Sequence, residues 1–171
     1  MSDILMVGSD IHNSQIGTPH EDANDTAEIR DNAIQANQVG ISIMGGAPHI
    51  YGGAGTGKGN VITGNTRYGI YIGAGADLAN LNIEWNDIRL NAIGIQAENP
   101  GTGDYFDGRC NWWNHQDGPD DDSPELPDQW DNDLGQDVGD YFCYRDVEPT
   151  KEKGWLDKSM TDPTTQCIGG I

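Results

Sequence analysis

Residues 32–43 read Asn32-Ala33-Ile34-Gln35-Ala36-Asn37-Gln38-Val39-Gly40-Ile41-Ser42-Ile43, and this stretch decides the fold because it returns twice. The second copy runs from Asn60-Val61-Ile62 through Asn65 to Gly69-Ile70-Tyr71-Ile72, with one extra residue. The third runs from Asn86-Asp87-Ile88 through Asn91 to Gly94-Ile95-Gln96-Ala97. The common pattern is N-x-I-x-x-N-x-x-G-I-x-I, and the copies start 28 and 26 residues apart. Self-similarity at such a period marks a stacked-repeat architecture.

Apolar residues around each glycine alternate: Val39, Ile41, Ile43; Tyr68, Ile70, Ile72; Ile93, Ile95, Ala97. Period two predicts short strands with one buried face. A helix needs apolar spacings of three and four, and each glycine would cost it about 1 kcal/mol. The asparagines at the turns, Asn37, Asn65 and Asn91, tolerate left-handed backbone and are expected to form a structural hydrogen-bonded ladder between rungs. No rung buries its apolar face alone, so several must stack.

These repeats resemble those of pectin-lyase-like parallel β-helices, particularly the NosD-like and carbohydrate-binding/sugar-hydrolase group. The segment Cys110-Asn111-Trp112-Trp113-Asn114-His115-Gln116-Asp117-Gly118-Pro119 is similar to the N-N-W-W-G-x-x-x-G-P stretch that follows the last rung in that family. Asp137-Val138-Gly139-Asp140-Tyr141 and Gly154-Trp155-Leu156 resemble its closing strand and ending. Asn114 departs from the family glycine, and Glu148 to Lys153 interrupts the last match. The resemblance implies an all-β chain: a right-handed parallel β-helix with an irregular C-terminal cap and an extended arm. It also implies that three-fold assembly is common.

Outward from the repeats, residues 1–27 are expected to supply a cap and an irregular first rung through Ile4, Met6, Ile11 and Ile16. Residues 28–114 form the rungs. Residues 115–171, with 15 acids and 4 bases, form an acidic irregular cap and arm. An open solenoid end must be covered, and Trp112, Trp113 and Trp130 are the candidates.

The 171 residues suit one domain. Leu, Ile, Val and Phe total only 31, but isoleucine outnumbers leucine 17 to 7 and glycine reaches 24, which favours strands and turns over disorder. The net charge is -19. A phosphate backbone would be repelled, which argues against DNA or RNA. No apolar run approaches the roughly 20 residues of a membrane-spanning helix. No secretory signal is visible in Met1 to Asp10. Asp contributes 21 of 28 acids and Lys only 4. That balance suits a halophile's protein, since molar salt cuts the Debye length to about 3 Å and screens self-repulsion. A plain acidic mesophilic protein is the alternative.

The run Gly52 to Gly59 lacks the Ser or Thr that a phosphate loop needs after Lys58 and reads as a flexible loop. Three outward columns are expected: Ser42, Tyr71 and Gln96; Gln35, Thr63 and Arg89; and Arg30, Lys58 and Glu84. From these, Tyr71, Arg89, Gln96, Ser42 and Glu84 are the candidate carbohydrate-binding residues. Tyr71 offers an aromatic face and Arg89 a planar donor fork. Ordinary solvated sheet surface is the competing reading. Catalysis needs two opposed carboxylates at defined separation, and no motif assigns any. Asp131, Asp133 and Asp137 alternate in a way that suits Ca²⁺ or Mg²⁺ without the EF-hand spacing, and no cofactor is required. Three cysteines allow at most one internal bridge, and a Cys143–Cys167 pairing would tie down the arm.

The expected function is a non-catalytic structural or adhesion module. Its expected place is a virion surface, as a capsid decoration, turret or tail-spike component. It would be a homo-oligomer, with a trimer favoured, contacting other virion subunits and binding cell-surface glycan. A cytoplasmic location is the alternative. The rival function is a polysaccharide lyase, hydrolase or epimerase of the same fold. A third reading, a periplasmic-type accessory β-helix for copper-enzyme maturation, is disfavoured by the length, by the absence of a visible export signal and by the lack of a Met/His/Cys cluster suited to copper.

Overall fold

The computed structural model describes residues 27–52, 59–98, 108 and 110–114 with their side chains, and the backbone of five further strands. All the described regular structure is strand. Four rungs of three strands follow one another along the chain. They are β1 (Leu5–Val7), β2 (Asp10–His12) and β3 (Ile16–Thr18); β4 (Glu28–Arg30), β5 (Ala33–Gln35) and β6 (Val39–Ile43); β7 (His49–Tyr51), β8 (Val61–Thr63) and β9 (Tyr68–Ile72); and β10 (Asn82–Glu84), β11 (Asp87–Arg89) and β12 (Ile93–Ala97).

Corresponding strands pair in parallel and build three four-stranded sheets, β1-β4-β7-β10, β2-β5-β8-β11 and β3-β6-β9-β12. The N-terminal segment, expected to be irregular, contributes three strands in register with the second rung. A final pair, β13 (Trp155–Leu156) and β14 (Cys167–Ile168), is antiparallel. No described helix could cross a membrane.

The register stacks like on like. Ile29, Ile50 and Ile83 line up in the first sheet, and Ile34, Ile62 and Ile88 in the second. Ile41, Ile70 and Ile95 line up in the third, beside Ile43, Ile72 and Ala97. All are buried and form one core with Leu81 and Trp113. β-Branched chains suit a pleated, crowded surface, and each buried isoleucine contributes about 1.5–3 kcal/mol.

Two asparagine ladders run along the corners. In the first, Asn60 Nδ2 donates to Asn86 Oδ1 (2.8 Å), Asn86 Nδ2 to Asn111 Oδ1 (3.0 Å), and Asn32 Nδ2 to Asn60 Oδ1 (3.1 Å). In the second, Asn65 Nδ2 donates to Asn91 Oδ1 (2.8 Å), and the backbone N–H of Asn37 donates to Asn65 Oδ1 (3.0 Å). The ladder amides also donate to buried carbonyls of the rung before, including Ile29, Ile50, Ile62 and Ile83. The first ladder was not anticipated. Its signal was the leading asparagine of the repeat.

The left-handed backbone sits one residue before where the sequence placed it. Ala36, Gly64 and Leu90 precede the second ladder at φ 56, 63 and 54°, while Asp31, Trp85 and Cys110 precede the first at 60, 58 and 57°. The bend comes first, and it turns the following asparagine inward to bond the next rung.

The repeat glycine has a different reason. A Cβ on Gly40 would lie 2.5 Å from the Gly69 carbonyl oxygen and 2.9 Å from Asn65 Nδ2. One on Gly69 would lie 2.6 Å from the Gly94 oxygen and 2.9 Å from Asn91 Nδ2. The backbone presses on the ladder there, and strict alternation begins only at the following isoleucine. Val39, Tyr68 and Ile93, expected on the inner face, are therefore half-buried rather than core.

A partial fifth rung covers part of the C-terminal end. Ile88 N–H donates to the Trp112 oxygen and Trp112 N–H to the Asn86 oxygen, both at 2.8 Å. Asn111 extends the ladder, fully buried, and Trp113 closes the core. Trp130 lies outside the described residues. Cys110 is disulfide-bonded. Cys143 and the side chain of Cys167 lie outside the described residues.

Candidate functional site

The third sheet turns its outer face to solvent between the second and third rungs. β6 and β9 are held in register by the pairs Val39–Tyr68, Ile41–Ile70, Ser42–Tyr71 and Ile43–Ile72. Because Ile41, Ile43, Ile70 and Ile72 take the inner face, their neighbours Ser42 and Tyr71 fall on the outer one, where Ser42 is buried and Tyr71 half-buried. The shifted alternation sends Val39 and Tyr68 to the same side. Gln38, Met44 and Arg67 complete a cleft of about 290 Å³.

The aromatic wall of this cleft is ordered. The rings of Tyr68 and Tyr71 stack with centroids 5.4 Å apart and planes 23° from parallel. The Arg67 guanidinium lies 4.8 Å from the Tyr68 ring centre, within the range of a cation–π contact. Tyr71 donates its hydroxyl to Glu98 Oε2 of the next rung at 2.8 Å. That bond, then burial, then the nearby Glu98 charge hold the Tyr71 phenol above its ordinary pKa of 10.0. Met44 is exposed and rests its thioether beside Gly73, where a Cβ would stand 3.2 Å from the sulfur.

The five carbohydrate candidates fall on three sheets. Ser42 and Tyr71 meet in the cleft. Gln96 follows Tyr71 in the column but does not line the cleft, and its amide donates to the Ala97 oxygen at 3.0 Å. Arg89 stands in the second-sheet column with Gln35 and Thr63. Its Nε lies 3.4 Å from a carboxylate oxygen of Asp87, which is buried. Glu84 is on the first sheet opposite Tyr51, so Tyr51 takes the place expected for Lys58, which lies outside the described residues. Burial first, then the charge of Glu28, raise the Tyr51 phenol above 10.0.

Sequence reasoning passed over Tyr68, Arg67 and Gln38. Tyr68 carried one legible signal, an aromatic where the other repeats have Val39 and Ile93. Asp131, Asp133 and Asp137 lie outside the described residues.

A sequence model of the family described as "Periplasmic copper-binding protein (NosD)" matches residues 1–109, which span all four rungs. The chain belongs to the NosD family. Its fold is the parallel β-helix of the pectin-lyase-like superfamily. No curated protein and no solved structure matches the chain.

The NosD description raises copper, and the donor set decides whether the described residues suit it. Copper sites draw on imidazole, thiolate and thioether ligands. Cys110 is spent in a disulfide. Met44 follows β6 of the third sheet, while His49 opens β7 of the first. Among the described residues no three His, Cys, Asp or Glu side chains gather. The described side chains therefore do not supply a copper donor set.

Proposed function

We propose that the protein is a non-catalytic β-helix module that works outside the cytoplasm and binds carbohydrate through the third-sheet cleft. The observation that carries this reading is the Tyr68–Tyr71 aromatic pair on the outer face of the sheet, set beside the exposed, polar Gln38. Sugar rings present axial C–H groups that pack on aromatic faces, and their hydroxyls need polar partners at the rim. The sheet holds both without a loop having to order, which lowers the cost of binding.

Two features support a place outside the cytoplasm. Cys110 is disulfide-bonded, and disulfides persist in oxidising compartments. The NosD family is described as periplasmic. In finer form we place the module on a virion surface, as a decoration, turret or tail-spike subunit, where a compact solenoid with an outward cleft would serve adhesion. The coil is taken as right-handed, the hand of about 98% of parallel crossovers. A homotrimer, with residues 115–171 as cap and anchoring arm, completes the proposal.

The test is a glycan array probed with the wild-type chain and with Tyr71→Ala. Binding that disappears in the variant, probed well below its melting temperature where it is still folded, supports the reading. An array with no wild-type signal, or one equally strong in both, sinks it. Light scattering on the same sample checks the trimer.

A further inference from the structure

The corner bend before each asparagine of the first ladder is held from the rung that follows it. Asp31, Trp85 and Cys110 make that bend at φ 60, 58 and 57°. Residues with a Cβ avoid this left-handed region, because the Cβ crowds the following carbonyl. At the earlier corners the next rung pins the bend. The backbone N–H of Asn32 donates to Asn60 Oδ1 (3.1 Å), and that of Asn86 donates to Asn111 Oδ1 (3.0 Å). Among the described residues the ladder ends at Asn111, so no further asparagine pins the last bend. The residue at that bend, Cys110, is disulfide-bonded instead.

Much hangs on this bend. With Cys110 bent, Asn111 turns inward, and its Oδ1 accepts both the backbone N–H and the Nδ2 of Asn86, each at 3.0 Å. Its Nδ2 donates to the oxygens of Ile83 (2.6 Å) and Gly108 (2.8 Å). The Cys110 oxygen accepts the Trp85 N–H at 3.0 Å, and Trp112 bonds the backbone of Asn86 and Ile88. Trp113 then closes the core, 2% exposed. A Cys110 relaxed to negative φ would aim Asn111 away from Asn86, and these contacts would go together. The described part of this rung adds only a single bridge to the second sheet and no strand to the other two, so fewer backbone bonds hold it than hold the rungs before it.

We infer that the Cys110 disulfide is a redox clasp on the C-terminal end of the β-helix. Oxidised, it holds the last bend and the end stays closed. Reduced, the bend relaxes, and Asn111, Trp112 and Trp113 leave the fourth rung while the earlier rungs stay folded. Reduction by a dithiol is a two-electron exchange. One thiolate of the dithiol attacks a sulfur of the bridge and forms a mixed disulfide, its second thiol displaces the chain, and the chain is left with two thiols while the reagent departs as a cyclic disulfide. Cys110 is half-buried, so a small dithiol has access to it. Closure of this end is thereby conditional on an oxidising compartment. The clasp makes no use of the third-sheet cleft and stands whether or not that cleft binds carbohydrate.

The experiment is hydrogen exchange on the full chain, resolved amide by amide by NMR at neutral pH, before and after treatment with dithiothreitol. The amides of Trp85, Asn86, Ile88 and Trp112 report the end, since each is bonded across it. Those of Asn37, Val61 and Gly73 report the interior rungs. Reduction should speed exchange at the end amides by about thirtyfold or more, the low end of what one disulfide is worth in an equilibrium. The interior amides should change by less than about threefold, as expected of a local opening. Reoxidation should restore the slow exchange. Cys110→Ser should show the reduced pattern without reductant and no further change with it. End amides unmoved by reduction overturn the clasp, and so does a Cys110→Ser chain that exchanges like the oxidised wild type. Amides that quicken together in every rung overturn it as well, because the bridge then holds the whole chain and not its end. If Cys110→Ser fails to fold, the reduced wild type still decides.

Discussion

Asn60 gives the sharpest test of what holds the rungs together. It is fully buried. Its Nδ2 donates to the Ile29 oxygen and to Asn86 Oδ1, each at 2.8 Å. Its Oδ1 accepts from the backbone N–H and from Nδ2 of Asn32, each at 3.1 Å. Alanine would strip all four partners at once. Asn32 Nδ2 keeps its bond to the Arg30 oxygen (2.9 Å), so its loss is partial. A buried polar group left unsatisfied costs about 1–3 kcal/mol. Counting three full losses at the low end, and allowing a water to enter the polar gap, Asn60→Ala should destabilise by about 3–4 kcal/mol. Folded domains have only about 5–15 kcal/mol to lose. Asn60→Asp should be worse at pH 7, because it aims a buried, unpaired carboxylate at two oxygens. Urea unfolding followed by tryptophan fluorescence measures both, with the exposed Gln38→Ala as control. A loss below about 1 kcal/mol for Asn60→Ala, or an aspartate as stable as the alanine, would refute the ladder as the element that joins rungs.

Two glycines separate close approach from backbone strain. Gly69→Ala should cost about 1–3 kcal/mol from overpacking on the ladder. Gly64→Ala, at φ +63° with nothing within 4 Å, should cost only the left-handed penalty of about 1 kcal/mol. Denaturation midpoints rank the two. Leu90 holds φ 54° with its side chain 68% exposed. Leu90→Gly should therefore relieve strain of about 1–2 kcal/mol and lose part of it to chain entropy, for a net gain of about 0.5–1 kcal/mol in the same assay. The Tyr71 phenol is held protonated by Glu98, so its folded pKa exceeds its unfolded value. Its contribution to stability is full below pH 10 and declines as pH rises through the folded pKa. The difference in ultraviolet phenolate titration between wild type and Tyr71→Phe should show a group ionising above the ordinary range, and Glu98→Gln should lower it.

Much of the fold was legible because repetition is a one-dimensional signal. Three copies of one pattern with isoleucine at period two require stacked strands, and the leading and central asparagines had to lie at equivalent corners. Part of the cleft was legible too. Ser42 and Tyr71 occupy equivalent places in two repeats, so any regular stacking makes them outward neighbours.

The sequence by itself determined the architecture, the isoleucine stacks and the columns of the outer sheets, since these depend only on period and register. The tertiary structure decided which column residues meet. Gly40 and Gly69 press against the ladder of the next rung, which shifts the alternation and moves Tyr68 from the expected core to the cleft wall. It placed the left-handed bend before each asparagine, because that bend turns the amide inward. It engaged Arg89 with Asp87 and left Arg67 on Tyr68. Each outcome depends on distances between rungs some two dozen residues apart, and local pattern carries no such distances.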